Sequence, residues 1–524
     1  MEALLEYFPA KRISMEEIPD ATKEQLKKIS EFLKTRSRAE ILAISAIGLS
    51  GLAGYCWVQN KWKYWERKGV QGPRPTFSDM GNTISIFNDL GEGLFKEFPS
   101  QDVLGIYFFG TRPCLIVKDP MVWKDVCIKG FQNFTTRGRS EANFAFGKMS
   151  VDWMTAAEGA KWKRLRNTIV PFFSGARLKE TCLVLQDTYE HFELNHFPKT
   201  PTIEVDAKDF SAGYTLRAIL GSGYSLNAKE NEELVEEVYK HSNILFATDF
   251  IGSLKSLIIP RSIRFKLNIT NYPSSTDKFF RDVIAQIMEQ GSKGGRTNLV
   301  SLMANHIIDE SEEHTATKGF TKDEIVAQAL LFQLAGQDTT ATVMSFLLFA
   351  LARTPSVQED IYNRVKDADI SYEGLKKIKF IDACIKETQR YFTFLMLMRE
   401  ADHDCDVAGV KIAKGDLVMF LPYMVHKNPE YYEDPEVFNP HRFDGNESNT
   451  LQDDYWFGFG IGPRSCPAVR WAFVAIKVFI ANVLKNYEIL PGENTPGIHE
   501  LKMKFEGANV RTTVPMKIRF KKRN

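Results

Sequence analysis

The stretch FGIGPRSCPA, Phe459 to Ala468, sets one cysteine at the end of a glycine-punctuated loop, directly before a helix-like run from Val469 to Leu484. Gly460 and Gly462 permit backbone conformations that a side chain forbids, so the loop can fold tightly beneath a flat ligand. Pro467 suits the first helical position, where its missing N–H is no loss. The Cys466 sulfur would then face the positive end of a helix and several backbone N–H groups, which favour the thiolate. A thiolate held this way can serve as the axial ligand of a haem iron. Most lone cysteines are simply buried structural residues. The loop, with Arg464 two residues before the sulfur, reverses that expectation here.

The spacing Phe459-x-x-Gly462-x-Arg464-x-Cys466 resembles the haem-binding signature of the cytochrome P-450 superfamily, the haem-thiolate monooxygenases. That pattern usually ends in glycine two residues after the cysteine; this chain has Ala468, small enough to lengthen the haem–helix approach only slightly. Three further constellations occur in the order the family requires. The first is AGQDTT, Ala335 to Thr340, inside a long apolar stretch. Thr321 and Glu324 form a capping box ahead of it, and the run continues to Arg353 before Thr354-Pro355 stops it. That predicts a buried helix of about 32 residues, roughly 48 Å long. A mid-helix glycine, Gly336, costs about 1 kcal/mol relative to alanine, and room for a ligand against the helix is one reason for it. Asp338 and Thr339 place an acid and an alcohol side by side in a nonpolar setting, as proton delivery requires. A helix kink with a polar patch is the competing reading of the same residues. By resemblance, Thr339 is the oxygen-activating threonine and Asp338 its acidic neighbour.

The second constellation is Glu387-Thr-Gln-Arg390, whose two charged residues share a helix face, followed about fifty residues later by FNPHRF, Phe438 to Phe443. The resemblance implies that Arg442 joins Glu387 and Arg390 in a buried triad supporting the haem loop; His441 stands where the family usually has glutamate. The third is Trp162-Lys-Arg-Leu-Arg166. Tryptophan and arginine four apart lie on one helical face and can both donate to a carboxylate. The family uses this pair to hold a haem propionate, with Arg399 and Arg464 matching its other propionate contacts. Lys161, Lys163 and Arg164 fall elsewhere around that helix, either as a solvated face or as part of a basic docking site for an acidic electron donor.

The resemblance runs from about Trp62 to Phe520, and segments such as FTTR (Phe134 to Arg137) and VHKNPEYYEDP resemble the microsomal branch that oxidises steroids, drugs and other lipophiles. Composition agrees. A chain of 524 residues with 44% hydrophobic content can bury a large core, and no linker or low-complexity stretch breaks it after Pro75. One large domain over residues 76–524 is expected, mainly α with small β-sheets, in the cytochrome P-450 fold. Short strands are predicted at Gly105–Phe109 and Pro113–Val117, at Cys405–Phe420, and near the C-terminus. The net charge of +1, from 67 basic and 66 acidic residues, gives no reason to expect nucleic acid. Seven cysteines without CxxC spacing read as reduced thiols on the cytosolic side.

Ahead of that domain, Ile41 to Val58 is an uncharged, mainly apolar run with Trp57, Trp62, Tyr64 and Trp65 as an interfacial belt and Lys61, Lys63, Arg67 and Lys68 beyond. A single transmembrane anchor at 39–60 is expected, after a charged extension at 1–38 and before a linker and proline hinge at 61–75. The basic C-terminus, Lys521-Lys522-Arg523-Asn524, resembles a retrieval signal of the endoplasmic reticulum, and a plain basic tail is the alternative. Basic residues flank both ends of the run, Lys34, Arg36 and Arg38 among them, so charge leaves the orientation open; the family resemblance and this tail imply a single-pass protein of the endoplasmic reticulum membrane with its catalytic domain in the cytosol.

The resemblance implies a haem-thiolate monooxygenase that inserts one atom of dioxygen into a lipophilic substrate such as a steroid, fatty acid or xenobiotic. Its cofactor would be haem b with Cys466 on the iron, and Trp162, Arg166, Arg399, Arg464, Phe459 and Gly336 around it. Electrons would come from NADPH through NADPH-cytochrome P-450 reductase, with a small cytochrome as a second donor. Two rivals share the haem-thiolate site: an isomerase of lipid peroxides, and a non-catalytic haem sensor or carrier. Retention of Asp338 and Thr339 argues against both.

Overall fold

The computed structural model describes residues 38–523 except 90–91, 139–147, 198–199, 201, 247–262, 264–265, 268, 271, 292–297, 314, 394, 445–453 and 507–508. The expected extension before the anchor therefore lies almost wholly outside the described residues. The chain divides into two units, Met1–Arg67 and Lys68–Asn524. In the first, helix α1 (Arg38–Lys61) carries Leu49, Leu52, Tyr55 and Trp57 more than half exposed, whereas Trp65, expected in an interfacial belt, is buried.

The division falls earlier than the expected boundary at Pro75, for a local reason. Lys68 Nζ donates to the Lys411 carbonyl at 2.6 Å, and the Gly105 N–H donates to the Gln71 carbonyl at 2.8 Å. Gly72 sits so close to Gly105 that a Cβ would meet its carbonyl oxygen at 1.9 Å. The stretch read as a hinge is thus fastened to the catalytic unit.

The second unit is mainly helical. Its principal helices are α2 (Gly159–Ile169), α3 (Gly175–His196), α4 (Ala207–Tyr224), α5 (Lys322–Arg353), α6 (Lys379–Tyr391), the short α7 (Pro422–His426) and α8 (Val469–Asn486). The strands are β1 (Val103–Phe108), β2 (Arg112–Val117), β3 (Thr202–Asp206), β4 (Leu397–Glu400), β5 (Cys405–Val407), β6 (Val410–Ile412), β7 (Leu417–Phe420), β8 (Tyr487–Pro491), β9 (Met503–Glu506), β10 (Asn509–Thr512) and β11 (Lys517–Lys522). β1 and β2 form the expected hairpin, with Val103 opposite Val117. Its turn uses positive φ at Phe109 (47°) and Gly110 (94°), the hand that suits a tight hairpin. β7 joins β2 in parallel and β4 antiparallel, giving the order β1-β2-β7-β4. A second sheet runs β3-β11-β8, and β5–β6 and β9–β10 are separate hairpins.

Helix α5 is the spine of the core. Its capping box is present: the Glu324 N–H donates to Thr321 Oγ1 at 3.3 Å, and the Thr321 N–H to Glu324 Oε2 at 2.9 Å. Most of its length is buried on all sides, packed on α4, α6 and α8. It is long and apolar enough to cross a membrane, but that burial marks it as a core helix.

The same cap corrects a reading of α2. Arg164 is buried rather than solvated, and its guanidinium grips Glu324 in a fork at 2.9 and 2.7 Å. Burial pushes the Glu324 carboxyl up, but Arg164, the Thr321 amide and Lys161 together hold it below its usual value. Lys161 binds Asp152 and Glu313 as well, at 2.7 and 2.6 Å, so of the three basic residues only Lys163 presents an open surface charge.

Candidate active site

The cysteine loop is pinned where it begins. Trp456 Nε1 donates to the Lys386 carbonyl at 3.2 Å, and Gln389 Nε2 to the Gly458 carbonyl at 3.2 Å, fixing the loop's start to α6. Gly460 and Gly462 both take positive φ, 69° and 72°. Gly462 also has no room for a side chain, since a Cβ would lie 2.3 Å from the Cys127 carbonyl oxygen. The loop then closes through the Ser465 N–H to the Gly462 carbonyl and the Cys466 N–H to the Phe459 carbonyl, both 3.0 Å. Phe459 itself packs between Trp456 and Phe473, each at 5.8 Å between ring centroids. Helix α8 begins at Val469 with Ala468 as its cap, so Pro467 precedes the helix instead of opening it.

Four arginines form the surroundings of the thiol: Arg137 and Arg166 act on Cys466 itself, and Arg399 and Arg464 act on Arg137 or are acted on by it. Arg137 donates to the Arg464 carbonyl, and Arg166 Nη1 to the Ser465 carbonyl at 2.8 Å, so two cations hold the residues just before Cys466. Arg464 commits its own donors to three main-chain carbonyls: Thr135 at 2.8 Å, Met154 at 3.2 Å and Ala157 at 2.7 Å. Its guanidinium also stacks 4.2 Å from the Trp162 ring centroid. Arg399 lies over Trp123 at 5.4 Å and donates to the Met398 carbonyl at 2.8 Å, while its buried Nε has no partner. Among the described residues, none of the four is ion-paired with a carboxylate.

The electrostatics follow from that crowding. Burial, with Arg399 adding repulsion, pulls Arg137 down to about 10; burial, then Arg137 and Arg399, pull Arg464 down to about 9 against the opposing charge of Glu158. Burial also lowers Arg399 and Arg166. Burial pushes the Cys466 thiol up, while the Ala468 amide, Arg137 and Arg166 pull it back. The expected helix-end amide is therefore present, but it does not outweigh burial in the protein alone. Such a set calls for a ligand that brings negative charge and takes a thiolate. Haem b, with one iron and two carboxylates, fits it by chemistry.

Arg464 braces the loop through three carbonyls, and two of its five N–H donors stay available for the propionate contact that the resemblance implies. One assignment drawn from the sequence changes. Gly336 does not clear space for a ligand: a Cβ there would meet Ile219 Cδ1 of α4 at 3.1 Å, so the glycine lets two helices approach. Beyond the first turn of α5, the exposed positions are Ala335 and Thr339, one turn apart. Thr339 Oγ1 donates to the Ala335 carbonyl at 2.6 Å. Asp338 turns another way, to Lys208 Nζ at 2.8 Å, and the same ammonium bonds Thr342 Oγ1 at 2.5 Å. Lys208 lines a cleft of about 200 Å³ with Asp206, Asp209, Thr342 and the Thr512–Met516 segment.

The structure does bring Glu387, Arg390 and Arg442 together. Arg390 Nε and Nη2 clasp Glu387 at 2.7 and 2.8 Å, and Arg442 Nε reaches Glu387 Oε1 at 3.2 Å. The remaining donors of both arginines go to carbonyls of His426, Glu433, Pro435 and Val437. Sequence reasoning missed Arg137 and Lys208 as members of the site. FTTR was noticed as a segment, but nothing in its spacing signals that Arg137 reaches a loop more than three hundred residues away.

The comparisons agree with this geometry. The Cytochrome P-450 family model matches residues 92–518, well over half of the chain. Cytochrome P-450 6B7 of Helicoverpa armigera is 28% identical over 467 residues, covering 84% of this chain and 91% of its own. Cytochrome P-450 3A18 of Rattus norvegicus is 27% identical over 448 residues (82% and 88%), and cytochrome P-450 3A7 of Homo sapiens 28% over 457 residues (84% and 89%). With its thiol held at the end of a glycine loop among arginines, the chain belongs to the cytochrome P-450 family and is an oxidoreductase of the monooxygenase class.

Proposed function

We propose that this protein oxidises a lipophilic small molecule with one atom of dioxygen, drawing electrons from NADPH through a flavoprotein reductase. The observation that carries the reading is the thiol of Cys466 set near Arg137, Arg166, Arg399 and Arg464, none of which, among the described residues, is ion-paired with a carboxylate, Glu158 acting on Arg464 only at longer range. Cys466 would hold the iron of haem b. Arg137, Arg166, Arg399 and Arg464, with Trp162, would hold its carboxylates, and Arg464 would brace the loop as well. Bound there, haem supplies the redox-active iron at which dioxygen is activated for insertion into a C–H or C=C bond.

The chain's own residues supply the rest. Thr339 Oγ1 keeps a hydroxyl at an exposed point of α5, and its bond to the Ala335 carbonyl fixes its orientation. Asp338 stands one residue away, its Oδ1 accepting from Lys208, and Lys208 lines a cleft wide enough for water. The exposed Leu49, Leu52, Tyr55 and Trp57 of α1 support a membrane anchor, and the likeness to the microsomal branch supports the endoplasmic reticulum as the location with the catalytic unit cytosolic; Lys521 and Lys522 lie in the paired strand β11 and add nothing to it. Turnover of a lipid extract with NADPH, reductase and isotope-labelled dioxygen tests the reading: labelled product supports it. Rearranged but unlabelled product would assign the isomerase instead, and haem binding without NADPH oxidation a sensor.

A further inference from the structure

His426 is fully buried at the end of α7, inside the VHKNPEYYEDP segment, whose sequence assigns it no role of its own. Its ring joins two parts of the molecule. Nδ1 lies 2.6 Å from Thr393 Oγ1, just past the end of α6. Nε2 accepts the Phe457 N–H at 3.2 Å, two residues before the loop that ends in Cys466. Its carbonyl accepts Arg390 Nη1 at 2.7 Å. The ring stacks on Phe457 at 6.2 Å and meets Tyr432 edge-on at 6.0 Å.

These contacts choose one form of the imidazole. The Phe457 N–H can only donate, so Nε2 must offer its lone pair and the proton belongs on Nδ1. Nδ1–H then donates to Thr393 Oγ1, whose own proton goes to the carbonyl of Gln389 or Arg390, at 2.9 and 2.7 Å. We propose that His426 is a positioning residue for the thiolate loop: locked in this tautomer, it ties the Phe457 amide to the Glu387–Arg390–Arg442 cluster. The triad then supports the loop through a defined atom, His426 Nε2, and not by proximity alone. Charge state agrees with the geometry. Burial first, then Arg390, with Lys427 adding to it and the Tyr455 carbonyl opposing, pulls the ring down to about 3, so it stays neutral at physiological pH. A protonated ring would lose the acceptor that Phe457 needs.

The proposal rests on Cys466 carrying haem, and its test separates the two claims. The full-length, haem-loaded chain is compared with His426→Leu, His426→Gln and Thr393→Val by amide hydrogen exchange over 455–466 and by the Soret band of the reduced carbon monoxide complex. The exchange rate reads the bond to Phe457 whatever the haem does. His426→Leu is expected to speed exchange at Phe457 at least tenfold and to convert part of the haem from thiolate to neutral-thiol ligation. His426→Gln, whose amide oxygen can accept from Phe457, should restore both in large part, which a role in packing alone would not allow. Thr393→Val keeps the ring but frees its tautomer and should fall between them; if His426→Leu does not fold, this variant and His426→Gln carry the comparison. Unchanged exchange at Phe457 and an unchanged thiolate band in the folded variants would overturn the proposal. A wild-type chain without thiolate-bound haem would overturn the reading of Cys466 instead, leaving the exchange data to judge His426.

Discussion

Two groups of arginines, partly or fully buried, stand near the cysteine loop, and they differ in one respect. Arg390 and Arg442 close on Glu387, and their remaining donors meet carbonyls, so the group is satisfied within itself. Arg137, Arg166, Arg399 and Arg464 lie near Cys466 with no ion-paired acid among the described residues, and Arg399 Nε is without a hydrogen-bond partner there. A self-satisfied charge cluster holds a fold together, whereas an unbalanced one waits for a counter-charge. The contrast separates support from site without reference to any relative.

Breaking the first group should have the largest effect. Glu387→Ala strands two buried guanidiniums and is expected to cost about 3–5 kcal/mol, enough to lose soluble protein at 37 °C. Expression yield and thermal melting check it. The second group should behave in the opposite sense. Arg399→Met relieves repulsion among the arginines, so the haem-free protein should melt no lower than wild type, while haem affinity falls about tenfold, near 1.4 kcal/mol. A fall in apo stability equal to that of Glu387→Ala would erase the distinction.

A smaller effect should appear with pH. The His426 pKa lies below its unfolded value of about 6.5, so its contribution is fully present above that pH. Between there and pH 3 the unfolded chain binds one more proton, and stability declines by up to about 1.4 kcal/mol per pH unit. Melting temperatures from pH 7 to 4 should show a shallower acid slope in His426→Gln than in wild type. The smallest effect belongs to Lys163, an open charge on α2. Lys163→Glu should slow reduction by an acidic electron donor a few-fold at low salt and leave haem binding untouched, as stopped-flow rates across ionic strength would report.

What could be read from the sequence was what local spacing encodes. The glycines before Cys466, the capping box at Thr321 and Glu324, and the three-residue step from Glu387 to Arg390 all act within a turn or two of chain, and each stands in the structure as expected. Misreadings came where a distant partner decides. A helical wheel places Arg164 on the surface because it cannot know that Glu324 covers it. Gly336 reads as ligand space because Ile219 is invisible from its own helix. Arg137, Lys208 and His426 earn their places through Arg464, Asp338 and Phe457, contacts that no periodicity announces.

The most direct test of the central claim is the optical spectrum of the reduced carbon monoxide complex of the full chain and of Cys466→Ser, with haem content measured on each. The account predicts about one haem per wild-type chain with the red-shifted Soret band of thiolate ligation, and loss of that band in the serine variant. The same band in Cys466→Ser, or a folded wild-type chain that takes up no haem, would contradict it.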